Sequence, residues 1–328
     1  MILRGIDFGH VWGQSGVQGF FGEGYPYHKY FKSIGLTFKN CTFVAKTTTV
    51  PPRIFPEAGK MPMQKDGITP GERVPKCVYV NPLKGVALNA VGLNGPGFEA
   101  LLDHERWQKH PERFMISYMS AEQTEQARLQ ETRSLVELLR PRLGDFRCKF
   151  AIQRNYSCPN VGATPRPPKE FIQEVWMDLN ILQGLGVPIV VKFSVTTSVS
   201  IVHAIATHPA CDAVLVSNTI PWGELKDRID WKGLFGSEVS PLMKRVGLPG
   251  GLSGAPLLPI VVDWLKEARG FNFPKPIAAG GGILGPKDVD CLIRAGARAI
   301  CVGSMSMLRP WWMQATINRA NRLLIKLS

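Results

Sequence analysis

Cys148-Lys149-Phe150-Ala151-Ile152-Gln153-Arg154-Asn155-Tyr156-Ser157-Cys158-Pro159-Asn160 is the stretch on which the reading of the fold turns. Cys148 to Ile152 is an apolar run that reads as a buried strand, and the residues after it lead into a loop rich in Pro and Gly. Asn155 stands three residues before Cys158 and Asn160 two after it, and Pro159 disfavours a helical path for Cys158. A thiol at the C-terminal end of a strand, between two amides that both donate and accept hydrogen bonds, suits proton transfer on a small polar ring. The same residues admit a plainer reading, an ordinary cysteine beside turn-forming asparagines. The surrounding chain decides between them.

Working outward, the pattern repeats. Phe114 to Ser120 reads as a strand, followed by a helix over Ala121 to Arg140 capped by Ser120 and stopped at Pro141. After the central strand comes a helix from about Pro168 to Gln183, a strand over Pro188 to Val195, and a helix over Ser198 to Thr207. Cys211 to Asn218 is a strand, and Gly250 to Gly254 is expected to open a helix running to about Arg269. Pro276 to Gly282 is a strand with a glycine loop, Lys287 to Ala295 a helix, and Ala299 to Ser304 the last strand, before a closing helix. Two earlier strands are expected, one in the Gly- and aromatic-rich section before Tyr30 and one over Thr42 to Thr47. Between them and the regular part, residues 50–86 form a proline-rich excursion expected to cover one mouth of the domain.

Continuous apolar strands, rather than alternating ones, imply a sheet buried on both faces and therefore parallel. Strand–helix alternation leaves an open doubly wound sheet or a closed barrel. There is no early Gly-x-Gly-x-x-Gly turn and the strands number eight, so the expectation is an α/β fold, a (β/α)8 TIM barrel forming a single domain over residues 1–328.

Composition narrows the function classes. The 45% apolar content is ample for a large core, and no apolar run is long enough to span a bilayer. The N-terminus lacks the apolar centre of a secretory signal. Seven cysteines, at positions 41, 77, 148, 158, 211, 291 and 301, include no Cys-x-x-Cys pair. That points to reduced thiols in a cytoplasmic setting and to no metal or iron–sulfur site within the chain. The net charge of +13 is spread along the sequence with no RNA-binding motif, so nucleic acid is not an expected partner, nor is a membrane.

In a barrel of this kind the active site lies where strands run out into their following loops. Those ends hold Lys46, Asn155 to Asn160, Lys192, Ser217-Asn218-Thr219, Gly280-Gly281-Gly282 and Gly303-Ser304. The last two, after the seventh and eighth strands, are the usual place for a phosphate, because glycine lets backbone N–H groups approach an anion closely. Lys46 and Lys192 point to an anionic or electron-rich ligand, since no acid stands at the strand ends.

Asn155-Tyr156-Ser157-Cys158-Pro159-Asn160, Val191-Lys192-Phe193, Ser217-Asn218-Thr219, Gly250-Gly251-Leu252-Ser253-Gly254 and Ala279-Gly280-Gly281-Gly282-Ile283 closely resemble the motifs of the dihydroorotate dehydrogenase family, in its order and near its spacing. Leu88-Asn89-Ala90-Val91-Gly92-Leu93-Asn94 looks like the family's substrate segment, and Val44-Ala45-Lys46-Thr47 like its early lysine strand. The resemblance covers nearly the whole chain. It implies an FMN-binding barrel that oxidises a dihydropyrimidine, with Cys158 as the base, as in the family's soluble class. By position, Asn89, Asn155, Asn160, Asn218, Thr219, Lys46 and the backbone at Gly92 and Leu93 hold the substrate. Ser15, Lys46, Thr47, Asn155, Lys192, Ser217, Gly254, Gly281, Gly282, Gly303 and Ser304 hold the FMN and its phosphate. The family also implies a homodimer and leaves room for an electron-transfer partner subunit.

Three departures stand out. The soluble family's Gly-Asn-Pro-x-Pro-Arg segment is not recognisable in Ile68 to Pro82, and Gly19 to Tyr30 and Trp222 to Gly247 are unusual. FMN binding is therefore a firmer expectation than dihydroorotate as substrate. Another dihydropyrimidine such as dihydrouracil stays open. A tRNA dihydrouridine synthase-like enzyme fits less well, because that class adds a helical domain and only twenty residues follow Leu308. A catalytically silent barrel would be expected to have lost some of Cys158, the two lysines and the four asparagines. The Pro-rich stretch Ala163 to Pro168, hinged at Gly162, is a candidate lid.

Overall fold

The computed structural model describes residues 1–156, 167–216 and 218–327. Cys158, Asn160 and Ser217, and all but the end of the candidate lid, lie outside the described residues.

Fourteen strands are described: β1 (Ile2–Leu3), β2 (Ile6–Asp7), β3 (Val11–Gly13), β4 (Phe43–Val44), β5 (Val78–Asn81), β6 (Val86–Asn89), β7 (Phe114–Tyr118), β8 (Phe150–Asn155), β9 (Ile189–Phe193), β10 (Ala213–Val216), β11 (Ile220–Pro221), β12 (Gly251–Gly254), β13 (Ile277–Gly280) and β14 (Ala299–Val302). Eight of them, in the order β3-β14-β13-β10-β9-β8-β7-β4, form one all-parallel sheet. A parallel bridge between Trp12 and Thr42 joins β3 to the start of β4 and brings the two ends of the sheet together. This is the expected TIM-type barrel.

The barrel is filled from alternate strand positions. Trp12, Val44, Met115, Ala151, Val190, Leu215, Ala278 and Cys301 make one buried cluster inside it. The β1–β2 hairpin stoppers the end opposite the site: Leu3 and Phe8 join the same cluster, and Trp12 Nε1 donates to Phe8 O at 2.9 Å. The other strand faces pack outward against the helices in a second, larger cluster. None of the described helices is long and apolar enough to cross a membrane.

Three local expectations are corrected. The helix after β7 spans Glu125–Leu139 and is capped by Thr124, whose Oγ1 accepts from Ala127 N at 3.2 Å. Ser120 lies too early to cap it: its hydroxyl donates to the buried Glu131 carboxylate and accepts from Glu122 N at 3.3 Å, ahead of the helix start at Glu125. The run Gly250 to Gly254 does not open a helix: Gly251–Gly254 is β12, and the helix begins at Leu257. Its glycines are needed because β12 lies so close to β6 that a Cβ on Gly254 would stand 2.1 Å from Gly85 O. Finally, the proline-rich excursion contains β5, which pairs with β6 in a four-stranded antiparallel sheet, β11-β12-β6-β5. That sheet sets Asn89 opposite Gly251 at the barrel mouth.

Candidate active site

Alternation along the barrel strands decides what faces the mouth. Two steps past the inward Ala151 stands Gln153, two more bring Asn155, and two steps past Val190 stands Lys192. These polar side chains form a collar above the apolar filling. Ser117 Oγ donates to Gln153 Oε1 at 3.2 Å and lies 2.8 Å from Thr47 Oγ1, which in turn donates to Ser15 Oγ at 3.0 Å. Lys192 Nζ donates to the same Ser15 oxygen at 3.4 Å. Gln153 Nε2 is buried with no partner among the described residues. Lys46 donates to the carbonyl of Asn94, with its ammonium 4.6 Å from the centre of the Phe20 ring.

Above this collar opens a cavity of about 310 Å³, within the range of small-molecule sites. Of the expected site residues, Ser15, Lys46, Thr47, Asn89, Gly92, Leu93, Asn155, Lys192, Asn218, Thr219, Gly254, Gly281, Gly282, Gly303 and Ser304 all line it. They arrive from seven barrel strand ends and from the mouth sheet.

The glycine loops form a cradle that side chains would fill. Gly254 has φ +111°, Gly281 +112° and Gly282 +76°, where only glycine is relaxed. A Cβ on Gly282 would stand 2.3 Å from Leu258 N. Gly282→Ala is therefore expected to displace this loop and cost at least tenfold in affinity for a phosphate-bearing ligand. Titrating the ligand-free chain with FMN by fluorescence quenching checks this.

Several lining residues belong to segments that the sequence marks as unusual or as covering the mouth, without singling them out as site residues. Tyr25 and Tyr27 come from the N-terminal aromatic segment, with parallel rings 6.2 Å apart. Tyr25 Oη donates to Gly16 O at 2.6 Å, and Tyr27 Oη lies 3.2 Å from Ser306 Oγ, fixing the segment across the cavity. Burial pushes the Tyr27 phenol up to about 12, so it stays neutral and a hydrogen bonder. Glu72, Arg73, Pro70 and Pro75 line the cavity from the excursion. The available clue was an aromatic-rich loop leaving a barrel strand, which marks a wall without saying what it faces.

Cys301 also lines the cavity, but burial pushes its thiol up to about 12 despite the opposing charge of Lys192. Cys77, buried just before β5, is likewise pushed up to about 12, chiefly by burial. Thiols that remain protonated at neutral pH are poor bases.

The model of the dihydroorotate dehydrogenase family matches residues 64–324. The chain belongs to that family. It is thus an oxidoreductase. The catalytic subunit of dihydroorotate dehydrogenase B (NAD(+)) from Listeria welshimeri is 28% identical over 304 residues, covering 90% of this chain and 84% of that protein. The corresponding subunit from Enterococcus faecalis is 28% identical over 254 residues, 72% of each chain. A crystal structure of DHODH from Eimeria tenella in complex with ferulenol matches 99% of this chain and 84% of that one, with a TM-score of 0.65 and 17% identity, so the two share a fold. The dihydroorotate dehydrogenase match starts inside the excursion, so Tyr25 and Tyr27 lie in a part of the chain that the family model does not reach.

Proposed function

We propose that this protein binds FMN and oxidises dihydroorotate to orotate, with Cys158 as the base. One observation carries the reading: a single cavity gathers three ring-reading amides, Asn89, Asn155 and Asn218, beside two lysines and a glycine cradle. The donor set fits FMN. Glycine loops at Gly254, Gly281–Gly282 and Gly303 leave backbone room for a phosphate, and Lys46 and Lys192 bring N–H donors to an electron-rich ring.

Oxidation of the dihydropyrimidine ring removes one proton and one hydride, and FMN when bound supplies the hydride acceptor. The chain's own residues do the rest. The asparagines, with Asn160, accept from ring N–H groups and donate to its carbonyls, fixing the face it presents. Thr219 and the Gly92–Leu93 backbone take the carboxylate. The Cys158 thiolate takes the proton. Free thiols have a pKa near about 8.5, so a minor fraction is ionised at neutral pH, and we assign to Lys46 the cationic charge that favours that fraction. We assign the outgoing electrons to a second polypeptide: the curated relatives are named as catalytic subunits of an NAD(+)-linked enzyme, and this chain has no Cys-x-x-Cys pair for a cluster of its own.

The test is the visible absorption spectrum of the purified protein, recorded without oxygen before and after adding dihydroorotate. We expect flavin bands that bleach. Flavin bands that persist with dihydroorotate but bleach with dihydrouracil would move the reading to a neutral dihydropyrimidine. No flavin, even after adding FMN, would overturn it.

A further inference from the structure

The proline-rich excursion does more than cover the mouth. Gly92 and Leu93 have φ of +75° and +61°, two successive left-handed residues of which the second has a branched side chain. Such a backbone is strained for the non-glycine residue and persists only where its surroundings hold it. Here residues 53–61 do the holding. Arg53 Nε donates to Gly92 O at 2.9 Å, and the same guanidinium donates to Ala58 O at 2.7 Å. The backbones of Arg53 and Gly95 exchange hydrogen bonds at 2.9 and 3.1 Å, and Lys60 N donates to Val91 O at 2.9 Å. Asn94, fully buried, accepts from Met61 N at 2.9 Å through Oδ1, while its own carbonyl takes the Lys46 ammonium. The N–H groups of Gly92 and Leu93 donate to no described residue, and both residues line the cavity.

We infer that Arg53 and Asn94 are positioning residues for substrate: Arg53 fixes the left-handed Gly92–Leu93 turn with its N–H groups turned to an incoming carboxylate, and Asn94 ties that turn to Lys46. The inference rests on the proposed function for the identity of the substrate, not for the geometry. Arg53 suits the task because its planar fork reaches two carbonyls at once. Asn94 suits it because one buried amide spans two loops. Residues 53–61, which the family model does not reach, thereby become the part that sets carboxylate affinity.

The experiment compares the FMN-loaded wild type with Arg53→Met and Arg53→Lys. Orotate affinity is read from the flavin absorbance change, dihydroorotate kinetics from anaerobic bleaching, and backbone opening from amide hydrogen exchange of residues 89–95. Arg53→Met is expected to weaken orotate binding and raise KM about tenfold, leave the maximal bleaching rate within about twofold, and speed exchange in residues 89–95. Arg53→Lys, which keeps the charge but not the fork, should fall between. Wild-type orotate affinity together with wild-type exchange in both variants would overturn the proposal. So would a loss confined to the maximal rate. If Arg53→Met does not fold, Arg53→Lys alone decides by the same two readings. If the wild type neither bleaches nor binds orotate, the substrate assignment has failed, and exchange in residues 89–95 still decides whether Arg53 holds the turn.

Discussion

Replacing Cys158 with alanine is expected to slow anaerobic flavin bleaching by dihydroorotate by about a hundred- to ten-thousand-fold, the contribution of a positioned general base. Orotate affinity should change little, because Asn89, Asn155 and Asn218 remain in the cavity wall. The pH profile sharpens the test. With cysteine as the base, the bleaching rate climbs as pH rises through the thiol range and levels once the thiolate is formed. Cys158→Ser should retain a small activity that keeps climbing well beyond that plateau, since a hydroxyl is far harder to ionise. An alanine variant that bleaches at the wild-type rate would remove Cys158 from the mechanism. Cys301 is no ready substitute, because its burial keeps the proton on its sulfur.

The second large effect is on stability. Arg154 points outward from β8, opposite in sense to Asn155, and its guanidinium is sandwiched between the rings of Tyr118 and Tyr156, each centroid 4.5 Å away. Its Nε donates to Asp178 Oδ2, which also takes the Tyr156 hydroxyl. Arg154 is 2% exposed and Asp178 1%. The Asp178 charge holds the guanidinium firmly protonated against the penalty of burial. Arg154→Met would leave a buried carboxylate with only a phenol for company, at a cost of about 3–5 kcal/mol. Against a net stability of roughly 5–15 kcal/mol that is a large loss, readable as a lower midpoint in urea unfolding. The double variant Arg154→Met/Asp178→Leu should recover most of it, because it leaves no buried charge unpaired and only the Tyr156 hydroxyl without its acceptor. A single-variant loss below about 1 kcal/mol would mean that the pair contributes little. The cluster matters to the site through the chain itself: Asn155 lies between the two residues that Asp178 holds.

The barrel was legible in the sequence because its physics is repetitive. Strands buried on both faces run apolar up to their site-facing ends, and β8, β9, β10 and β14 announced themselves that way. The glycine cradle and the two lysines were legible for a related reason: polar residues ending apolar strands have few structural uses. What escaped was set by distant partners. Ser120 looks like a helix cap, but the helix begins only at Glu125, and the Ser120 hydroxyl donates to Glu131, eleven residues on. Gly250 to Gly254 looks like the start of a helix, and only the approach of β6 makes it a strand. The strand β5 is four residues between proline-rich turns, too short for any period to show. Tyr25 and Tyr27 were visible as an aromatic wall but not for what the wall meets, since Tyr27 reaches Ser306 near the other end of the chain.

The mouth sheet has a consequence for the order in which the molecule comes together. Within the barrel, most neighbouring strands follow one another closely along the chain, as β7, β8, β9 and β10 do. The mouth sheet instead pairs residue 89 with residue 251 and residue 86 with residue 254. Closing so long a loop is entropically costly before the barrel exists and far cheaper once the barrel has brought the two hairpins together. The frame is thus assembled from near neighbours and the reactive mouth from remote ones. Folding defects in this chain will register first as lost ligand affinity in a molecule that still has its barrel.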